Sequence, residues 1–96
     1  MRLVQTQIDS IRETVRRTAG PDVQTYVFGS RLDDAARGGD VDLLLASQRR
    51  LDLLTRASVK EALESAIGLP VDVVAYQTGK EPTPFQAIAL AKAQLL

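Results

Sequence analysis

The chain contains no cysteine, no histidine and no tryptophan. Without cysteine there is neither a disulfide framework nor a thiolate nucleophile, and without histidine the commonest zinc ligand and the commonest general base are both missing. Any chemistry therefore falls to carboxylates, hydroxyls, backbone amides and cations. An excess of either charge is also lacking: 12 basic and 12 acidic side chains cancel. There is no basic footprint of the kind that draws a protein onto nucleic acid, so no nucleic-acid partner is expected. No apolar run approaches the roughly 20 residues of a membrane span, and the opening "MRLVQTQIDS" lacks the apolar core of a signal peptide. The reading is a cytoplasmic protein with no membrane partner.

What is present is the composition of an ordinary globular domain, 45% hydrophobic and 25% charged over 96 residues, which predicts a single domain over 1–96. A domain this small gains stability from covering surface with a partner, so a homo-oligomer is an open alternative.

Val4, Ile8, Ile11 and Val15 fall at steps of four, three and four, which predicts an amphipathic helix to about Arg17, stopped by Gly20-Pro21. "QTYVF" (24–28) and "VDLLLA" (41–46) read as strands, the second apolar enough to be buried on both faces. Leu51, Leu54, Ala57, Leu63 and Ala66 predict a second helix between Arg49 and Ile67, ended by Gly68-Leu69-Pro70. "VDVVAY" (71–76) is a third strand. Thr83-Pro84-Phe85-Gln86 is an N-terminal helix signal, and "FQAIALAKAQLL" is expected to be helical to the end. Phe85 and Ile88 fit the core as well as an interface, so a partner surface is expected at the later leucines, Leu90, Leu95 and Leu96. The helix between the second and third strands suits a parallel crossover. The connection from Phe28 to Val41 fits a hairpin with a long loop or an irregular link. The fold class expected is α/β (α+β), a small mixed β-sheet with helices packed against it.

The stretch "FGSRLDDAARGGDVDLLL" (28–45) carries the chemistry. Asp40 and Asp42, two apart at the start of a strand, project from one face, and as hard oxygen donors they favour magnesium, with manganese the alternative. Gly29 lets a phosphate approach the main chain, Ser30 adds a hydroxyl and an amide, and Arg31 can hydrogen-bond phosphate oxygens. Asp72, set among apolar neighbours in the third strand, is the natural third ligand, since an unpaired buried carboxylate is costly. Together these residues suit metal-assisted phosphoryl chemistry.

This pattern, Gly-Ser, a loop, Asp-x-Asp and a later strand carboxylate, resembles the minimal nucleotidyltransferases of the DNA polymerase beta superfamily over nearly the whole chain. The resemblance implies a polymerase-beta-like nucleotidyltransferase fold and two Mg2+ ions that promote transfer of a nucleoside monophosphate from a triphosphate, AMP from ATP, to an acceptor hydroxyl. It implies that Asp40 and Asp42 bind both ions and that Asp72 binds the ion nearer the acceptor and helps take its proton. Gly29 and Ser30, with Arg31 beside them, would hold the β- and γ-phosphates. It also implies a partner, a small helical HEPN-type protein, with the nucleotidyltransferase as antitoxin. The acceptor expected on that partner is a tyrosine hydroxyl. The alternatives are a non-catalytic nucleotide- or partner-binding antitoxin module and a small-molecule adenylyltransferase.

Overall fold

The computed structural model describes residues 3–29 and 39–96. Its elements are α1 (Gln5–Thr18), β1 (Gln24–Phe28), β2 (Val41–Ser47), α2 (Leu53–Ile67), β3 (Val71–Gln77), α3 (Pro84–Lys92) and β4 (Gln94–Leu95). The strands form one sheet in the order β3-β2-β1-β4. β1 runs antiparallel to both β2 and β4, and β2 runs parallel to β3. The sheet is thus mixed as expected, with α2 as the crossover that a parallel pair requires.

Alternation along the strands divides the interior in two. Val27 of β1, Val41, Leu43 and Leu45 of β2 and Val71 of β3 meet Ile11 and Val15 of α1 and Val59 and Leu63 of α2. On the opposite face Phe28, Leu44 and Ala46 meet Ala89 of α3, with Val74 and Tyr76 alongside. Leu43, Leu44 and Leu45 are all fully buried, which is the two-sided burial that the unbroken apolar run predicts.

Two boundaries differ from the periodicity. The second helix begins only at Leu53, because Asp52 is its N-cap and accepts from the Thr55 N–H at 2.7 Å. Leu51 lies before the helix and is buried, whereas Leu54 is 77% exposed. The far end of α2 falls where expected, on Gly68 in the left-handed region at φ 70°. The last helix starts as predicted, with Thr83 and Gln86 forming a capping box and Pro84 in the first turn. It does not run to the end of the sequence. It stops at Lys92, Ala93 is extended, and Gln94–Leu95 pair with the outer edge of β1. That edge presents backbone groups that need partners, and the Leu96 N–H also donates to the Thr25 carbonyl at 3.0 Å.

This ending rearranges the apolar surface of the last segment. Phe85 and Ile88 are 57% and 67% exposed, so they do not complete the core. Leu90 and Leu96 are partly buried against it, and among the later leucines Leu95 is the exposed one.

Candidate active site

Asp42 is the second residue of β2, and its cross-strand partners are Phe28 of β1 and Asp72 of β3. Asp42 and Asp72 therefore sit side by side in register, on the α3 face of the sheet. Val41 and Leu43 on one strand, and Val71 and Val73 on the other, are anchored in the opposite core. Asp40 lies just before the strand and is exposed.

Burial pushes the Asp42 carboxyl above its ordinary value of 3.8. The charge of Asp72, a hydrogen bond with Asp72 and the charge of Asp40 add to the same shift. A carboxyl raised by its acidic neighbours is one whose ionised form a cation would relieve.

Gly29 closes β1 with φ 74°, in the region where L side chains are strained. A Cβ built there would collide with Oδ2 of Asp42 and come within 3.2 Å of its Cγ. Glycine is thus required twice, by the turn and by the approach of the carboxylate. Beside it is a cavity of about 170 Å3 lined by Phe28, Gly29, Phe85, Ile88, Ala89 and Lys92. The rings of Phe28 and Phe85 meet edge to face at 6.2 Å.

The structure therefore brings Gly29, Asp42 and Asp72 together, with Asp40 close enough for its charge to act on Asp42. Ser30 and Arg31 lie outside the described residues. Asp72 differs from the expectation of a buried ligand, because its side chain is 63% exposed. It is the second residue of an edge strand and lies on the face opposite α2, so solvent reaches it despite its apolar neighbours in sequence. Among the described residues no three carboxylates are placed to hold one ion. The donors present are nonetheless hard oxygens gathered at a glycine turn, a set that fits magnesium or manganese.

Two further residues touch the site without any mark in the sequence. Lys60 Nζ lies 4.0 Å from Asp72 Oδ1 and donates to the Val71 carbonyl, and Glu64 Oε2 accepts from the Val71 N–H at 2.9 Å. At four residues apart on α2 they read as an ordinary helix-surface pair. Only the position of β3 against α2 gives them a second role.

Fold and site together describe a small mixed-sheet domain with an acidic pair set against a glycine turn. The sequence model of the family described as "Polymerase beta, Nucleotidyltransferase" matches residues 10–96, and the chain belongs to that family. The chain is 35% identical over 74 residues to the probable protein adenylyltransferase MntA of Haemophilus influenzae, a match covering 75% of this chain and 65% of that protein. The chain thus spans somewhat less than two thirds of that relative's length. Among solved structures it is similar to a toxin-antitoxin with AMP-PNP, with a TM-score of 0.74, 21% identity and coverage of 91% of this chain and 69% of that one. It is also similar to the Shewanella oneidensis complex of a tri-AMPylated HEPN toxin with an MNT antitoxin, with a TM-score of 0.65, 19% identity and coverage of 93% and 70%. At these identities the structures share the fold.

Proposed function

We propose that this chain is a metal-dependent nucleotidyltransferase that moves AMP from ATP onto a hydroxyl of a small helical HEPN-type protein, and so serves as the antitoxin of a toxin-antitoxin pair. The observation that carries the reading is the register of Asp42 against Asp72 beside Gly29. Its chemistry is that of cation-assisted phosphoryl transfer. The naming of the Haemophilus relative as a protein adenylyltransferase, and of the Shewanella complex as one with an AMPylated HEPN toxin, supports the choice of nucleotide and partner.

In this reading Asp40, Asp42 and Asp72 would hold divalent cations, Asp72 on the acceptor side. When bound, such ions stabilise charge on the attacking and leaving oxygens. Asp72, open to solvent, takes the proton of the acceptor hydroxyl as its oxygen bonds to the α-phosphorus. The bond from that phosphorus to the bridging oxygen breaks and pyrophosphate leaves. Ser30 and Arg31, next along the chain from Gly29, hold the outer phosphates. The exposed Phe85 and Ile88 on α3, beside the cavity at Gly29, offer the partner an apolar place to dock.

That no three described carboxylates are placed to hold one ion favours a second reading, an antitoxin that binds without transferring. Intact-mass analysis of a HEPN-type protein coexpressed with this chain separates the two. Transfer predicts a complex whose partner gains adenylate mass. A partner that binds and never gains mass indicates inhibition by contact, and no binding at all points to a small-molecule acceptor.

A further inference from the structure

β3 is an outer strand of the sheet, and the outward backbone groups of such a strand have no neighbouring strand to pair with. Its first residue, Val71, has both of these groups taken by side chains of α2. Its N–H donates to Glu64 Oε2 at 2.9 Å, and its carbonyl accepts from Lys60 Nζ. Lys60 and Glu64 are themselves paired at 3.4 Å. An exposed Lys–Glu pair at this spacing ordinarily does little for stability. Here both members also grip the backbone of the residue that immediately precedes Asp72.

Asp72 needs such a restraint. Its side chain is largely exposed, and its neighbour in register is another carboxylate, Asp42. With both carboxylates ionised, repulsion between the two favours any motion that separates them. The cheapest such motion is for the end of the edge strand to fray away from β2, since the Val41–Val71 pair is the first rung of that ladder. The grip on Val71 opposes this fraying. Lys60 also reaches round the strand edge to within 4.0 Å of Asp72 Oδ1. That distance lets its charge act while remaining too long for a hydrogen bond. Lys60 therefore lowers the repulsion between the ionised carboxylates without hydrogen-bonding Asp72 Oδ1.

We propose that Lys60 and Glu64 are positioning residues for Asp72, a clamp from α2 on the backbone of Val71 that holds the Asp72 carboxylate beside Asp42 and so sets the cation affinity of the pair. The inference rests on the metal-site reading above. It assigns Lys60 and Glu64 no contact with substrate.

The test is calorimetric titration of Mn2+ into the metal-free full chain, with amide exchange at Val71 and circular dichroism measured alongside. Glu64→Ala is expected to stay folded, to exchange the Val71 amide faster and to bind Mn2+ about tenfold more weakly, the scale found when a partner that orients a metal ligand is lost. Glu64→Gln keeps an acceptor oxygen and drops only the charge, so it is expected to bind Mn2+ nearly as wild type does. In transfer assays kcat is expected to fall in Glu64→Ala while KM for ATP holds.

Lys60→Met sharpens the contrast and serves if Glu64→Ala fails to fold. Losing a nearby positive charge would by itself tighten Mn2+ binding, whereas losing the clamp weakens it. Tighter binding in Lys60→Met, unchanged Mn2+ affinity in Glu64→Ala despite faster Val71 exchange, or equal losses in Glu64→Gln and Glu64→Ala would each overturn the proposal. A wild-type chain that binds no Mn2+ would overturn the metal-site reading itself and this inference with it.

Discussion

Burial and two acidic neighbours disfavour the ionised form of Asp42, and that cost has measurable consequences. Because its folded-state pKa is raised, its contribution to stability is fully present below the ordinary value of 3.8 and is lost as pH rises through the folded value. In EDTA, Asp42→Asn is therefore expected to melt higher than wild type at neutral pH, with the difference vanishing below the ordinary aspartate value. Thermal melts across pH check this. Adding magnesium is expected to raise the melting temperature of wild type, since a ligand of the native state stabilises it, and to leave Asp42→Asn unmoved. Gly29 gives a second residue-level test. Alanine there meets both the left-handed backbone and the Asp42 carboxylate, and is expected to cost at least about 1–2 kcal/mol in urea denaturation. An alanine variant as stable as wild type would contradict the geometry of this turn. The motif singled out both Gly29 and Asp42, but their mutual contact was not legible in it, because it depends on the pairing of Phe28 with Asp42 across β1 and β2.

At the scale of elements, local patterns predicted what local physics decides. β2 was legible from its unbroken apolar run, α3 from its capping box, and the end of α2 from Gly68. The start of α2 was misplaced because Leu51 and Leu54 continue an apolar pattern while Asp52 ends the loop and caps the helix. The end of α3 was misplaced because the free edge of β1 claims Gln94–Leu95, and nothing within the last segment shows that edge. The consequence is that α3 carries its exposed apolar residues at Phe85 and Ile88, while of the later leucines it is Leu95, on β4, that stays exposed. Ile88→Asp is accordingly expected to change stability by no more than about 0.5 kcal/mol, while weakening capture of a HEPN-type partner in pull-down. Leu63→Ala, in the core beneath the sheet, is expected to cost about 2–5 kcal/mol by the same denaturation measurement. A large loss of stability in Ile88→Asp would place that side chain in the interior.

At the scale of the whole molecule, the site is a product of topology. Asp72 lies 30 residues after Asp42 in sequence, and the parallel crossover through α2 lays β3 against β2 so that the two fall in register. The crossover could be inferred from the order of elements, but the register could not. Apolar neighbours in sequence implied burial for Asp72, and the edge position of β3 reverses that by opening one side to solvent. Lys60 and Glu64 became visible only when α2 and β3 were seen together, since neither carries a motif. The central claim is that this acidic pair drives nucleotide transfer. Its most direct test is to mix the purified complex with α-labelled ATP and magnesium and to follow label on the HEPN-type partner, comparing wild type with Asp42→Asn. The account predicts magnesium-dependent labelling by wild type and a drop on the order of a thousandfold in the variant, the scale of losing several kcal/mol of transition-state stabilisation, with the fold unchanged by circular dichroism. Labelling of the partner by Asp42→Asn at the wild-type rate would contradict it.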